Sequence, residues 1–127
     1  MFIPAHELVV KAKASITELS LEQADSLAAD ATVLLLDVRE PGEYQEGHLP
    51  GALNIPRGML EFVLSSNPAL QDTGRQILVY CKTGGRAALA AQTLATMGFE
   101  RVSSLAGGYD AWHASARQTE QPTISFD

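Results

Sequence analysis

The 127-residue chain contains one cysteine, Cys81, in "VYCKTGGRAALAA" (residues 79–91), between an apolar run and a stretch of alanines. Lys82, Thr83, Gly84, Gly85 and Arg86 follow it directly. Adjacent glycines let the backbone curl so that successive N–H groups point into one concavity, an anion-binding nest. A helix starting near Arg86 would aim its positive end at the same spot. That helix end and the neighbouring cations, Lys82 and Arg86, favour thiolate over thiol. The pattern describes a nucleophilic sulfur with its own anion hole. A cysteine that only fills space at a strand end needs neither the nest nor the cations, although free cysteines are often buried.

The surrounding elements must place that loop at a sheet edge. "TVLLLDV" and "QILVYC" are continuous apolar runs without alternation, as expected of strands buried on both faces of a parallel sheet. The first ends in charge at Asp37, Arg39 and Glu40, and the second ends at Cys81. "SITEL" and "RVSSL" read as two further strands, with a short one near Leu53 to Ile55. Helices are expected from Leu21, capped by Ser20 with Gln23 as capping-box partner, and from Arg86 to Met97, closed by Gly98. "GMLEFVLSSNPAL" reads as a helix with Met59, Phe62, Val63 and Leu60 facing inward, and "GYDAWHASA" as the last one. Alternating strands and helices give an α/β fold, an open parallel β-sheet flanked by helices on both faces. In such a sheet the reactive site lies beyond the carboxyl ends of the strands.

The expected organisation is an N-terminal helical extension over residues 1–14, one domain over 15–117 and a flexible tail over 118–127. In the extension Leu8, Val9, Ala12 and Ile3 are expected on one face. At 46% apolar residues the chain can build one real core and is short for two. A lone cysteine forms no internal disulfide, which suits a reducing compartment. The net charge of −6 leaves no broad basic surface for nucleic acid or an anionic membrane. No run approaches the ~20 apolar residues of a membrane helix, and "MFIPAHELVVKAKA" does not read as a signal peptide. A cytoplasmic protein without membrane partners is expected. His6 and His113 form no recognisable ligand cluster with Cys81, so neither metal nor cofactor is expected.

Three segments in order, "LLLDVREPGEYQEGHLPGALNIP", "ILVYCKTGGR" and "GFERVSSLAGGYDAWH", resemble a single-domain rhodanese, a sulfurtransferase family, from Ser15 to Ala116. The resemblance implies that Cys81 accepts a sulfane sulfur and that Cys81 to Arg86 form the active-site loop. Lys82 and Arg86 would attract and orient an anionic donor. It implies structural support of the site by Asp37 and Arg39, a structural His48, and core packing for Tyr109 and Trp112. The implied partners are a small-molecule donor such as thiosulfate and a thiol or cyanide acceptor, with a protein donor or acceptor as a further class, in a monomer or homodimer. Dual-specificity phosphatases of similar fold carry one more residue between Cys and Arg, so the four here argue for sulfur over phosphate. A persulfide relay fed by a partner protein, and a Cys-loop-Arg phosphatase or arsenate reductase, remain the alternatives at this point.

Overall fold

The computed structural model describes residues 1–122. Its sheet has five strands, β1 (Thr17–Leu19), β2 (Leu34–Asp37), β3 (Leu53–Asn54), β4 (Ile77–Tyr80) and β5 (Val102–Leu105), in the order β1-β5-β4-β2-β3. Every pairing is parallel, with Asp37 in register with Tyr80 and with Asn54. The apolar runs bury all four residues of both β2 and β4, which is why they lack alternation.

Among the described residues six helices pack around the sheet: α1 (Ala5–Ser15), α2 (Leu21–Ala28), α3 (Pro41–Glu46), α4 (Leu60–Ser66), α5 (Gly85–Thr96) and α6 (Gly108–Ala114). One core joins Leu34, Leu36, Ile77 and Val79 to Leu60 and Leu64 of α4 and to Ala87, Ala91 and Leu94 of α5. The opposite core joins Leu35, Leu78 and Tyr80 to Ala24 of α2 and Trp112 of α6. Each fully buried Leu or Ile contributes about 1.5–3 kcal/mol of transfer free energy, so both faces are needed to hold the sheet.

Local signals place the helix ends. The Ser20 hydroxyl accepts from Gln23 N at 3.2 Å while Gln23 Oε1 accepts from Ser20 N at 2.9 Å, a complete capping box. Gly98, at φ +105°, follows α5 where an L side chain would be strained.

Two expectations need correction. Met59 and Phe62 do not face inward: they are 50% and 68% exposed, and Leu60 and Leu64 fill the core. A turn of 3-10 helix over Arg57–Met59 precedes α4 and changes the phase of the apolar pattern. Leu8 of α1 and Ile3 before it are exposed, while Ala12 is buried and Val9 half-buried where α1 packs along α5. Part of the expected tail makes contacts with the domain. Gln118 O accepts from Trp112 Nε1 at 2.7 Å, and Glu120 exchanges main-chain hydrogen bonds with His48, each 2.8 Å. The rest of that expected tail, residues 123–127, lies outside the described residues.

Candidate active site

Cys81 follows β4 at the carboxyl edge of the sheet and is buried. Gly84 N donates to Cys81 Sγ at 3.1 Å, and Gly84, at φ +126°, is the residue from which α5 starts. That positive φ is a conformation glycine adopts without steric cost. Lys82 and Thr83 are exposed, while Gly85 and Arg86 are half-buried in the first turn of α5. The twelve-residue helix directs its N-terminal amides toward the Cys81 loop.

The loop is held from three sides. At its far end Arg86 is clamped by Glu43 of α3, with NH1 and NH2 donating to the two carboxylate oxygens at 2.7 and 3.0 Å. Lys82 Nζ donates to both carboxylate oxygens of Asp110, at 3.1 and 3.0 Å. Both expected donor-binding cations thus carry carboxylate partners, while the Arg86 guanidinium also interacts with Cys81 and the Gly84 amide donates to its sulfur. From the third side the start of α6 reaches the loop's carbonyls: Tyr109 N donates to Cys81 O at 2.8 Å and Asp110 N to Lys82 O at 3.0 Å.

Gly108 makes that last approach fit. It is buried at φ +58°, and a methyl group there would lie 2.5 Å from Cys81 O and 2.6 Å from Lys82 O. Gly108→Ala is expected to destabilise the protein by about 2–3 kcal/mol, because strain and a backbone clash add. It should also shift the loop and lower activity, a pairing that urea unfolding and a sulfur-transfer assay would register together.

Asp37 and Arg39 stand at the end of β2. Arg39 NH2 donates to Asp37 Oδ2 at 2.7 Å and to Gly47 O at 2.7 Å, and Arg39 N donates to Asp37 Oδ1 at 2.9 Å. The pair is almost wholly buried, with Asp37 0% and Arg39 3% exposed. The Arg39 guanidinium also lies 4.3 Å from the centroid of Tyr109. Burial, then the charge of Asp37, pushes the Tyr80 phenol well above its ordinary range, so it stays protonated where Leu49 N donates to its oxygen at 3.1 Å. His48 stacks on Tyr44 at 3.9 Å and its Nδ1 donates to Leu49 O at 2.8 Å, an arrangement that fixes the turn before β3.

A cleft of about 410 Å³ lies beside the loop, lined by Arg39, Glu43, Glu46, Lys82, Tyr109, Asp110 and His113. Tyr109, assigned to core packing from sequence, packs on the core of Trp112 and also lines this cleft. Glu43, Gly108 and Asp110 are site residues that sequence reasoning missed. The glycine pair "GG" at 107–108 was a visible signal for a close approach, whereas Glu43 meets its partner only across 43 residues.

The Glu43 pair has a pH consequence. Hydrogen bonds from Arg86, then from the Glu40 main chain, outweigh burial and hold the Glu43 carboxyl at about 2, against an ordinary 4.5. A carboxyl lowered in the folded state stabilises the fold above pH 4.5, and that contribution is lost as pH falls from 4.5 to about 2. Glu43→Gln should therefore unfold at lower urea than the parent at pH 7. The gap should close progressively below pH 4.5, as a series of unfolding curves would show.

An all-parallel α/β sheet that delivers one thiol into a glycine-built loop at a helix N-terminus defines a class, the α/β domains with a cysteine-centred loop between strand and helix. Within it the chain belongs to the rhodanese-like family, whose domain matches residues 20–115. It is 34% identical over 98 residues to a sulfurtransferase of Allochromatium vinosum, covering 76% of this chain and 88% of that one. It is similar to a protein of unknown function, a possible tyrosine phosphatase, from Rhodopseudomonas palustris, at 30% identity and TM-score 0.86 over 94% of this chain and 96% of that one. It is also similar to the homodimeric polysulfide-sulfur transferase of Wolinella succinogenes, at 31% identity and TM-score 0.76 over 92% of this chain and 87% of that one. No helix among the described residues is long and apolar enough to cross a membrane.

Proposed function

We propose that this protein is a sulfurtransferase that carries a sulfane sulfur on Cys81 as a persulfide, taking it from an anionic donor such as thiosulfate and passing it to a thiol or cyanide. The observation that carries this reading is the Gly84 amide on Cys81 Sγ at 3.1 Å, at the start of α5. The thiolate attacks the outer sulfur of thiosulfate, the S–S bond of the donor breaks, and sulfite leaves with the bonding pair. The negative terminal sulfur then rests against the loop amides, which need no reorganisation to receive it. Attack by cyanide or a thiolate on that sulfur releases thiocyanate or a new persulfide and restores the Cys81 thiolate. Neither half needs a general base once the thiol is ionised, which accords with a His48 engaged by Tyr44 and Leu49.

The sulfurtransferase and polysulfide-sulfur transferase relatives support this class of reaction. The R. palustris neighbour raises a phosphatase reading, against which stands the loop of four residues between Cys81 and Arg86. Steady-state assays decide between them. Transfer from thiosulfate or polysulfide to cyanide or a small thiol should run far above background, with aryl phosphate hydrolysis at background. The reverse ranking would overturn the proposal.

A further inference from the structure

The helix α1 precedes the matched family region and packs along α5, which brings two of its side chains onto the catalytic loop. A methyl group built on Gly85 would lie 3.6 Å from Val9 Cγ2, and one built on Gly84 would lie 3.7 Å from Lys13 Nζ. Gly84 is the residue whose amide reaches Cys81 Sγ. The Lys13 ammonium is thus separated from the sulfur by one hydrogen bond, one N–Cα bond, the added Cα–Cβ bond and that single contact, no more than about 10 Å. This distance is comparable to the Debye length of about 8–10 Å at moderate ionic strength, so the charge is felt at the sulfur.

Three cations stand around the loop and their partners differ in grip. Arg86 and Lys82 are hydrogen-bonded to Glu43 and Asp110 at 2.7 and 3.0 Å. Lys13 faces Glu18 of β1 at 3.5 Å, the longest of the three pairings, with both side chains partly open to solvent.

We infer that Lys13 is a positioning residue that recruits anionic reactants to Cys81, with Glu18 setting the strength of its field. The extension thereby gives the loop a preference for charged over neutral partners of similar size. The part of this inference that concerns sulfur donors rests on the proposed sulfur-transfer function, while the electrostatic part does not.

Alkylation of Cys81 by iodoacetate and by iodoacetamide separates the two. In both the thiolate forms an S–C bond and iodide leaves, and the reagents differ mainly in one negative charge. At low ionic strength Lys13→Gln should lower the iodoacetate-to-iodoacetamide rate ratio by about two- to fivefold. Lys13→Arg should hold the ratio, Glu18→Gln should raise it, and added salt should bring the four proteins together. A merely structural lysine would shift the urea midpoint and leave the ratio alone. Equal ratios in the parent and Lys13→Gln at low salt, or no rise in Glu18→Gln, would overturn the inference. In the thiosulfate assay Lys13→Gln should raise KM by a similar factor with kcat little changed. A parent that alkylates with the expected ratios and ignores thiosulfate would count against the proposed function alone.

Discussion

Replacing Cys81 by serine is expected to reduce sulfur transfer by on the order of a thousandfold or more, to the background of the uncatalysed reaction. A hydroxyl is hardly ionised at neutral pH and does not hold sulfur as a persulfide, so the loss falls on the chemical step. The fold should survive. Cys81 is buried and its sulfur accepts one main-chain hydrogen bond, which a serine oxygen can also accept. The stability cost is then about 1–2 kcal/mol, that of placing a polar atom in an apolar site. Transfer assays beside urea unfolding would show a large effect in the first and a small one in the second.

The second large effect is on stability. Asp37→Ala leaves the Arg39 guanidinium buried without its carboxylate, and removing one member of a buried ion pair costs about 3–5 kcal/mol. For a domain of this size that corresponds to a fall in Tm of roughly 10–20 °C. Replacing both residues, as in Asp37→Leu with Arg39→Met, should restore much of the loss, because the uncompensated charge disappears with its partner. Thermal unfolding of the two single variants and the double variant would check this. A double variant as unstable as the sum of the singles would show that Asp37 acts through the main-chain groups around it.

What the sequence revealed and what it hid divide along contact distance. The Ser20–Gln23 capping box, the two unbroken apolar strands and the glycines between Cys81 and Arg86 are local patterns, and each has its physical cause within a few residues. From them the parallel sheet and the position of the thiol at its edge were legible. Glu43, by contrast, looks like one more acidic residue in a short helix until the fold brings Arg86 against it. Gly108 looks like a helix-starting glycine until α6 meets the Cys81 and Lys82 carbonyls. Phe62 misled because large apolar residues usually go inside, and here the 3-10 turn before α4 directs it outward. The return of Glu120 to His48 is a long-range pairing that a polar, proline-containing segment does not announce.

The most direct test of the account is the intact mass of the purified protein after thiosulfate treatment, before and after cyanide, with Cys81→Ser alongside. A gain of about 32 Da, one sulfur atom, in the parent alone, removed by cyanide, is the result expected of a persulfide on Cys81. An unchanged mass in the parent under thiosulfate and polysulfide alike, or an equal gain in Cys81→Ser, would contradict it.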